Sequence, residues 1–445
     1  MSRPTPMRAS GGLKCRLVGL WRSLRHGTAA RAVGKMALTT GIGQLAILAT
    51  LPLLTRLYDP AAFGLHSLVM AFVGTVSVGA CLCLELAIVS AKSEEEADRL
   101  FSAALTSIPI TALCSAALLF GSVQLGLLGF EALPWWSIPV AALMVALNGA
   151  YLASRCRVLR MQDYPALIRA SLTQNVTRAV APILLFPLAP FWAGLSGGEL
   201  LGRLLGVRGL LLRVWGGRPG STAWLKLGSW VAVVVREYRY TGWLLATALV
   251  DASSLLLISP VLAGTYGPHA AGQFFLVNMI MVAPSGLICN AAADVIHVRG
   301  ATIHHTNPDA LPSYLRKVAV ALLATGIAIY LPLYVFAPLL LPPLFGANWP
   351  LVSDAARALT PFIVASVVAS PCSRLLIAVN RPTFKVLSDV LRLIGVPVVI
   401  YASYEMGKSF IEALQYLGWF LAFAYGVYFL MTFAAVVAST SSRRS

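Results

Sequence analysis

Leu57-Tyr58-Asp59-Pro60-Ala61-Ala62-Phe63-Gly64, the apolar run that follows to Ala91, and Lys92-Ser93-Glu94-Glu95-Glu96-Ala97-Asp98-Arg99 decide how this chain folds. Pro60 and Gly64 mark a turn, so a helix is expected from about Leu65 to Ala91, closed by the charged segment. Its apolar part exceeds the roughly 20 residues that cross a bilayer. One acid, Glu85, stands inside it.

The rest of the chain has the same character. Hydrophobic residues make up 58% of the 445, charged residues only 11%, and the mean hydropathy is +0.78. That excludes an ordinary soluble domain and predicts an all-α polytopic membrane protein. At roughly 35 residues per span and loop, the length accommodates about twelve transmembrane helices. The seven cysteines are scattered, mostly in apolar runs, with no Cys-x-x-Cys spacing, so they read as packing residues. No metal or cofactor is expected.

Residues 1–35 are basic, with Leu13, Leu17, Leu20, Trp21 and Leu24 at helical spacing, as in an amphipathic helix lying on an anionic cytoplasmic face. A secretory signal would place its apolar region closer to the basic one. A first six-helix bundle is expected over 36–211, an interfacial linker over 212–240, a second bundle over 241–438 and a cytoplasmic tail over 439–445. Starting from a cytoplasmic N-terminus, the 34 Lys and Arg fall on cytoplasmic segments or adjacent helix ends, except Arg56, Arg178, Arg357 and Lys408. Both termini are therefore expected inside, and the net charge of +17 reflects topology rather than a nucleic-acid partner.

The second bundle restarts the first. Gly267-Pro268-His269-Ala270-Ala271-Gly272 repeats the Pro and Gly spacing of Asp59 to Gly64, each ahead of a long second helix. That second helix carries Asp294 about where the first carries Glu85, as expected of parallel repeats, whose substrate sites lie between the halves. On this reading Glu85 and Asp294 face the cavity from related positions, and the lobes rock about the linker.

Several segments resemble the bacterial polysaccharide flippases that move O-antigen and exopolysaccharide repeat units. They are Leu84-Glu85-Leu86-Ala87-Ile88-Val89 with the acidic cap, Thr50 to Tyr58, Gly272-Gln273-Phe274-Phe275-Leu276 with Pro284, Leu344-Phe345-Gly346-Ala347-Asn348-Trp349, and Ser373 to Arg381. The resemblance implies the multidrug/oligosaccharidyl-lipid/polysaccharide exporter fold, with two six-helix bundles around a central cavity. It also implies a bacterial inner-membrane location, a lipid-linked oligosaccharide as cargo, membrane lipids as surroundings, and a polysaccharide polymerase and export machinery as downstream partners.

A flippase must carry a polar glycan and a diphosphate through hydrocarbon, which calls for buried cations and two rigid lobes rather than a catalytic constellation. The cavity candidates are Arg178, Asp251, Glu85, Asp294, Arg203 and Arg374, Arg being favoured by its fixed fork of donors to phosphate. The bland alternatives are specific. Asp389 and Arg392 are three apart on one helix face and can pair, while Arg203 and Arg374 can snorkel to the cytoplasmic face. Arg178 and Glu199 stand equally far from the Pro187 to Pro190 turn, where they can form a structural pair, and Gly194, Gly197, Gly198 and Gly202 let those helices approach closely. His297, His304 and His305 read as a solvated loop.

Two other functions compete. A membrane-embedded glycosyltransferase or polymerase would need a larger outer loop or clustered carboxylates, which the sequence does not offer, so no enzymatic activity is expected. A multidrug exporter would use the same fold for a small cationic cargo.

Overall fold

The computed structural model describes residues 28–189, 191–216, 227–379, 381 and 383–441. The basic segment around Leu13 to Arg25 and the linker glycines at 217 and 220 lie outside the described residues. Among those described there are helices and turns but no strand.

The first lobe comprises α1 (Thr28–Leu57), α2 (Pro60–Ser77), α3 (Leu84–Ser90), α4 (Glu94–Gln124), α5 (Ser137–Arg160), α6 (Tyr164–Leu185) and α7 (Trp192–Trp215). The second comprises α8 (Leu227–Leu256), α9 (Ile258–Thr306), α10 (Leu311–Phe345), α11 (Val352–Cys372), α12 (Arg374–Ala378), α13 (Thr383–Glu405) and α14 (Phe410–Ser441). Eight stretches of the described helices are long and apolar enough to cross a membrane.

Local chemistry sets the helix starts. Asp59 caps α2 by accepting from the Ala62 N–H at 2.8 Å, with Pro60 at the first helical position, where no N–H is needed. Ser93 caps α4 by accepting from the Glu96 N–H, while the Glu96 carboxylate reaches back to the Lys92 N–H. The acidic segment is therefore the first turn of α4, where negative charge meets the positive end of the helix dipole. It also anchors α5: Arg157 bonds Glu94 at 2.8 Å and Asp98 at 2.6 Å, and Arg160 bonds Glu94 at 2.8 Å.

The helix expected from Leu65 to Ala91 is broken. After Ser77 the chain turns through Leu82 (φ 54°) and Cys83 (φ 58°), left-handed conformations that non-glycine residues rarely adopt. Neighbouring helices hold the break: Thr111 Oγ1 donates to the freed Ala80 carbonyl, and Cys81 Sγ donates to the Gly149 carbonyl. The counterpart in the second lobe has its break elsewhere. Helix α9 kinks at Gly267 (φ 85°, ψ 167°) and then continues to Thr306. His297, His304 and His305, expected in a loop, lie on that helix.

The two echoing Pro/Gly segments meet. A Cβ on Gly64 would run into the carbonyl oxygen of Pro268, and one on Gly272 into the carbonyl oxygen of Pro60. This reciprocal contact brings α2 and α9 to backbone distance, which only glycine permits. Trp349 secures the same end of the molecule. Its indole N–H donates to the Thr55 carbonyl at 2.9 Å, and its ring stands edge-on to Phe63 with centroids 5.0 Å apart. Accordingly, one hydrophobic core runs through both lobes, and a second core is built from Cys81 to Val214 of the first lobe, with Trp230, Val233 and Val234 of α8 packed against it.

The segment 212–240 is partly helical rather than a loop. Helix α8 begins at Leu227 and runs on into the expected seventh span. Its first turns rest on the first lobe, with Trp230 Nε1 donating to Ser107 Oγ at 2.9 Å and Arg236 pairing with Glu96 at 3.3 Å.

Candidate functional site

Gly194, Gly198, Gly202 and Gly206 recur every four residues along α7 and form one smooth stripe. A Cβ on Gly198 would strike Pro182, one on Gly202 would strike the Arg178 side chain, and one on Gly206 would press on Gln174. Helices α6 and α7 therefore pack at close range and bring three charges together. Arg178 Nε lies 2.5 Å from Glu199 Oε2, and Arg203 Nε lies 2.9 Å from Glu199 Oε1. Glu199 is 6% exposed and Arg203 9% at the side chain, whereas Arg178 keeps 30%.

Arg178 and Glu199 line a pocket of about 80 Å³ with Thr50 of α1, His66 of α2, and Phe275 and Met279 of α9. The pocket thus lies between the lobes. His66 Nδ1 is 2.9 Å from Ser196 Oγ, and its ring stands edge-on to Phe275 with centroids 5.8 Å apart. Tyr58 donates to the carbonyl of Pro182, one of the lining residues, at 2.8 Å. Among the described residues, the terminal nitrogens of Arg178 have no protein acceptor. One carboxylate shared by two guanidiniums leaves a surplus positive charge.

A second charged group occupies the other lobe. Lys385 Nζ contacts Asp251 at 3.0 Å and Asp389 at 2.8 Å. Arg392 pairs with Asp389, donates to Tyr425 Oη at 2.5 Å, and has its guanidinium 4.8 Å from the Tyr425 ring centre. Asp251 is 50% exposed at the side chain and stands 3.9 Å from Arg392, while Asp389 is buried. Two acids and two bases cancel. Among the described residues the cations that reach the Asp251 carboxylate, Lys385 and Arg392, both come from α13.

Glu85 and Asp294 do not share an environment. Glu85 is buried at 6% exposure within the first lobe, one carboxylate oxygen lacking a protein partner, while Asp294 is exposed on α9. The cause is the break at Leu82 and Cys83, which sets α3 at its own angle and turns Glu85 towards the helices packed on it, α4 and α5. Arg374, at the start of α12, is exposed. Arg203 does not snorkel; its guanidinium is drawn inward by Glu199. His66, Ser196 and Tyr58 were passed over in the sequence because a lone polar residue near a helix start gives no periodic signal. No group of three His, Cys, Asp or Glu among the described residues is placed to hold a metal.

The fold belongs to a known class of membrane protein. An inward-facing MATE-family multidrug resistance transporter of the MOP superfamily aligns over 91% of this chain and 95% of its own, at 14% identity and a TM-score of 0.63. The lipid II flippase MurJ, in an inward closed conformation, aligns over 91% and 87% at 14% identity with a TM-score of 0.70. A MOP-superfamily transporter from Pyrococcus furiosus aligns over 95% and 98% at 15% identity with a TM-score of 0.60. No curated protein sequence matches the chain. The polysaccharide biosynthesis protein family matches residues 53–354, and this chain belongs to that family.

Proposed function

We propose that this protein flips polyprenyl-diphosphate-linked oligosaccharide repeat units from the cytoplasmic to the outer leaflet of a bacterial inner membrane. Twelve spans in two six-helix lobes, with both termini cytoplasmic, would rock by alternating access. The observation that carries the reading is the surplus charge at the inter-lobe pocket. Arg178 is held through Nε by Glu199, so its terminal nitrogens remain donors towards the space between the lobes. A guanidinium oriented in this way suits a phosphate oxygen. The polyprenyl tail can stay in lipid while the glycan occupies the opening between the lobes.

The reciprocal Gly64 and Gly272 contact supplies a pivot, because two backbones in contact can rotate without moving side chains out of the way. Family membership supports a role in surface polysaccharide synthesis, with a polymerase and export machinery receiving the product. The multidrug reading fares worse on electrostatics, since a net positive pocket repels an organic cation.

Reconstitution into proteoliposomes with a fluorescent lipid-linked oligosaccharide tests the proposal. Wild-type protein should move the lipid between leaflets, and Arg178→Gln should abolish this while leaving the protein folded. In cells, deletion of the gene should leave lipid-linked repeat units on the cytoplasmic side. Normal surface polysaccharide in a deletion strain lacking any redundant flippase would refute the reading.

A further inference from the structure

On the exposed apolar face of the second lobe, α10, α11 and α14 enclose a groove of about 600 Å³. Its walls are apolar, with Leu323, Ile327, Leu331, Val364, Trp419 and Ala422 along its length. Polarity is concentrated at one end. Arg357 and Gln415 each lie five residues past the starts of their helices, Val352 and Phe410, hence about 8 Å in at 1.5 Å per residue. Val364 and Ala422 lie twelve residues past the same starts, about 18 Å in. The groove is therefore amphipathic along the membrane normal, over about the thickness of one leaflet.

Arg357 is fixed rather than loose. Its Nε donates to the Tyr334 carbonyl at 2.9 Å, and its guanidinium carbon sits 5.5 Å from the centre of the Tyr334 ring. No carboxylate among the described residues pairs with it. It is also one of the few cations that the charge distribution leaves on the outer side. A guanidinium at this depth without a counter-charge is costly, and its terminal nitrogens can be satisfied by an anion from the bilayer.

We propose that this groove binds one anionic glycerophospholipid of the outer leaflet, with its phosphate on Arg357 and Gln415 and an acyl chain along Leu331, Ile327 and Leu323. A single guanidinium matches the single charge of a phosphodiester, whereas a diphosphate carries more charge than one cation neutralises. The groove is thus a site for membrane lipid, separate from the inter-lobe pocket. It depends on the proposed orientation but not on the cargo.

Native mass spectrometry of the detergent-solubilised protein titrated with phosphatidylglycerol tests this. Wild type should retain one lipid, and Arg357→Gln should weaken retention about tenfold through loss of a charge-assisted hydrogen bond. Ala422→Phe, which fills the groove without touching Arg357, should weaken it as well, and Lys92→Gln, removing an exposed cation elsewhere, should not. Retention at the wild-type level in both groove variants would overturn the proposal, as would displacement of phosphatidylglycerol by a polyprenyl diphosphate at equal concentration. Failure of the flipping assay with intact lipid retention would count against the proposed function alone.

Discussion

The two lobes are both helical and meet through echoing Pro/Gly segments, but they treat charge differently. In the first, a single buried carboxylate, Glu199, holds two arginines, and one of them, Arg178, remains partly exposed at the boundary between the lobes. In the second, Asp251, Asp389, Lys385 and Arg392 neutralise one another, and Tyr425 accepts from Arg392, whose Nε finds no partner among the described residues. That network balances its charge and leaves no excess for an ionic ligand to neutralise. A cluster with one cation in excess can take up an anion, which is the ground on which the proposed function puts the phosphate in the first lobe. Helical packing has thus not fixed the electrostatics, because a few polar residues can change the charge of a site without disturbing the helices around it.

The comparison can be broken most severely at Glu199. Glu199→Gln leaves the buried Arg203 without its counter-charge beside a partly exposed Arg178, and thermal unfolding in detergent should show a loss of about 3–5 kcal/mol. Arg178→Gln should cost less, because Arg178 is partly exposed and Arg203 still pairs with Glu199. If the double variant with Glu199→Gln recovers both stability and transport, the phosphate role of Arg178 fails; recovered stability without transport supports it. Asp389→Asn provides the matching measurement in the second lobe. It should destabilise by a few kcal/mol through the stranded Arg392, yet a shift in substrate affinity among the folded molecules would contradict the contrast drawn above.

Reciprocity at the lobe junction predicts smaller and equal effects. Gly64→Ala and Gly272→Ala each place a methyl group against the facing carbonyl, so each should cost about 1–3 kcal/mol, read from the same unfolding curves. Unequal costs would show that the junction is not symmetric in energy.

The smallest effect concerns Asp163, the N-cap of α6, which accepts from the Ala166 N–H and pairs with Arg213 at 2.5 Å. The Arg213 hydrogen bond holds its carboxyl below the ordinary carboxylate value. A depressed folded-state pKa contributes stability that is present above the unfolded value and lost as pH falls through the folded one. With Arg213 half-exposed, the contribution is at most about 1 kcal/mol. Arg213→Gln should flatten the acid side of the stability profile between pH 7 and the acid transition, and an unchanged profile would remove Asp163 from the account.

The helical, membrane-spanning character of the chain was legible from composition and run length, because a bilayer imposes one dominant requirement on every span. The Pro/Gly echo was legible as well, since turn residues carry their geometry locally. The approach of Arg178 and Glu199 was readable because a short turn between two helices fixes equal depths by counting residues. The break after Ser77 was not readable: nothing in Val78 to Cys83 demands left-handed backbone, which is held in place by Thr111 and Gly149 from helices far along the chain. That one unread turn carried Glu85 into the lobe interior and ended its expected likeness to Asp294.

Sequence by itself therefore determined the helical, membrane-spanning character of the protein and its two echoing Pro/Gly segments, since both follow from run length and local spacing. Tertiary structure decided which charges cancel and which remain available. Lys385 reaches from its helix to Asp251 on another, and among the described residues Arg357 meets a carbonyl and a ring, because the azimuth of each helix about its own axis is set by packing against neighbours distant in the chain.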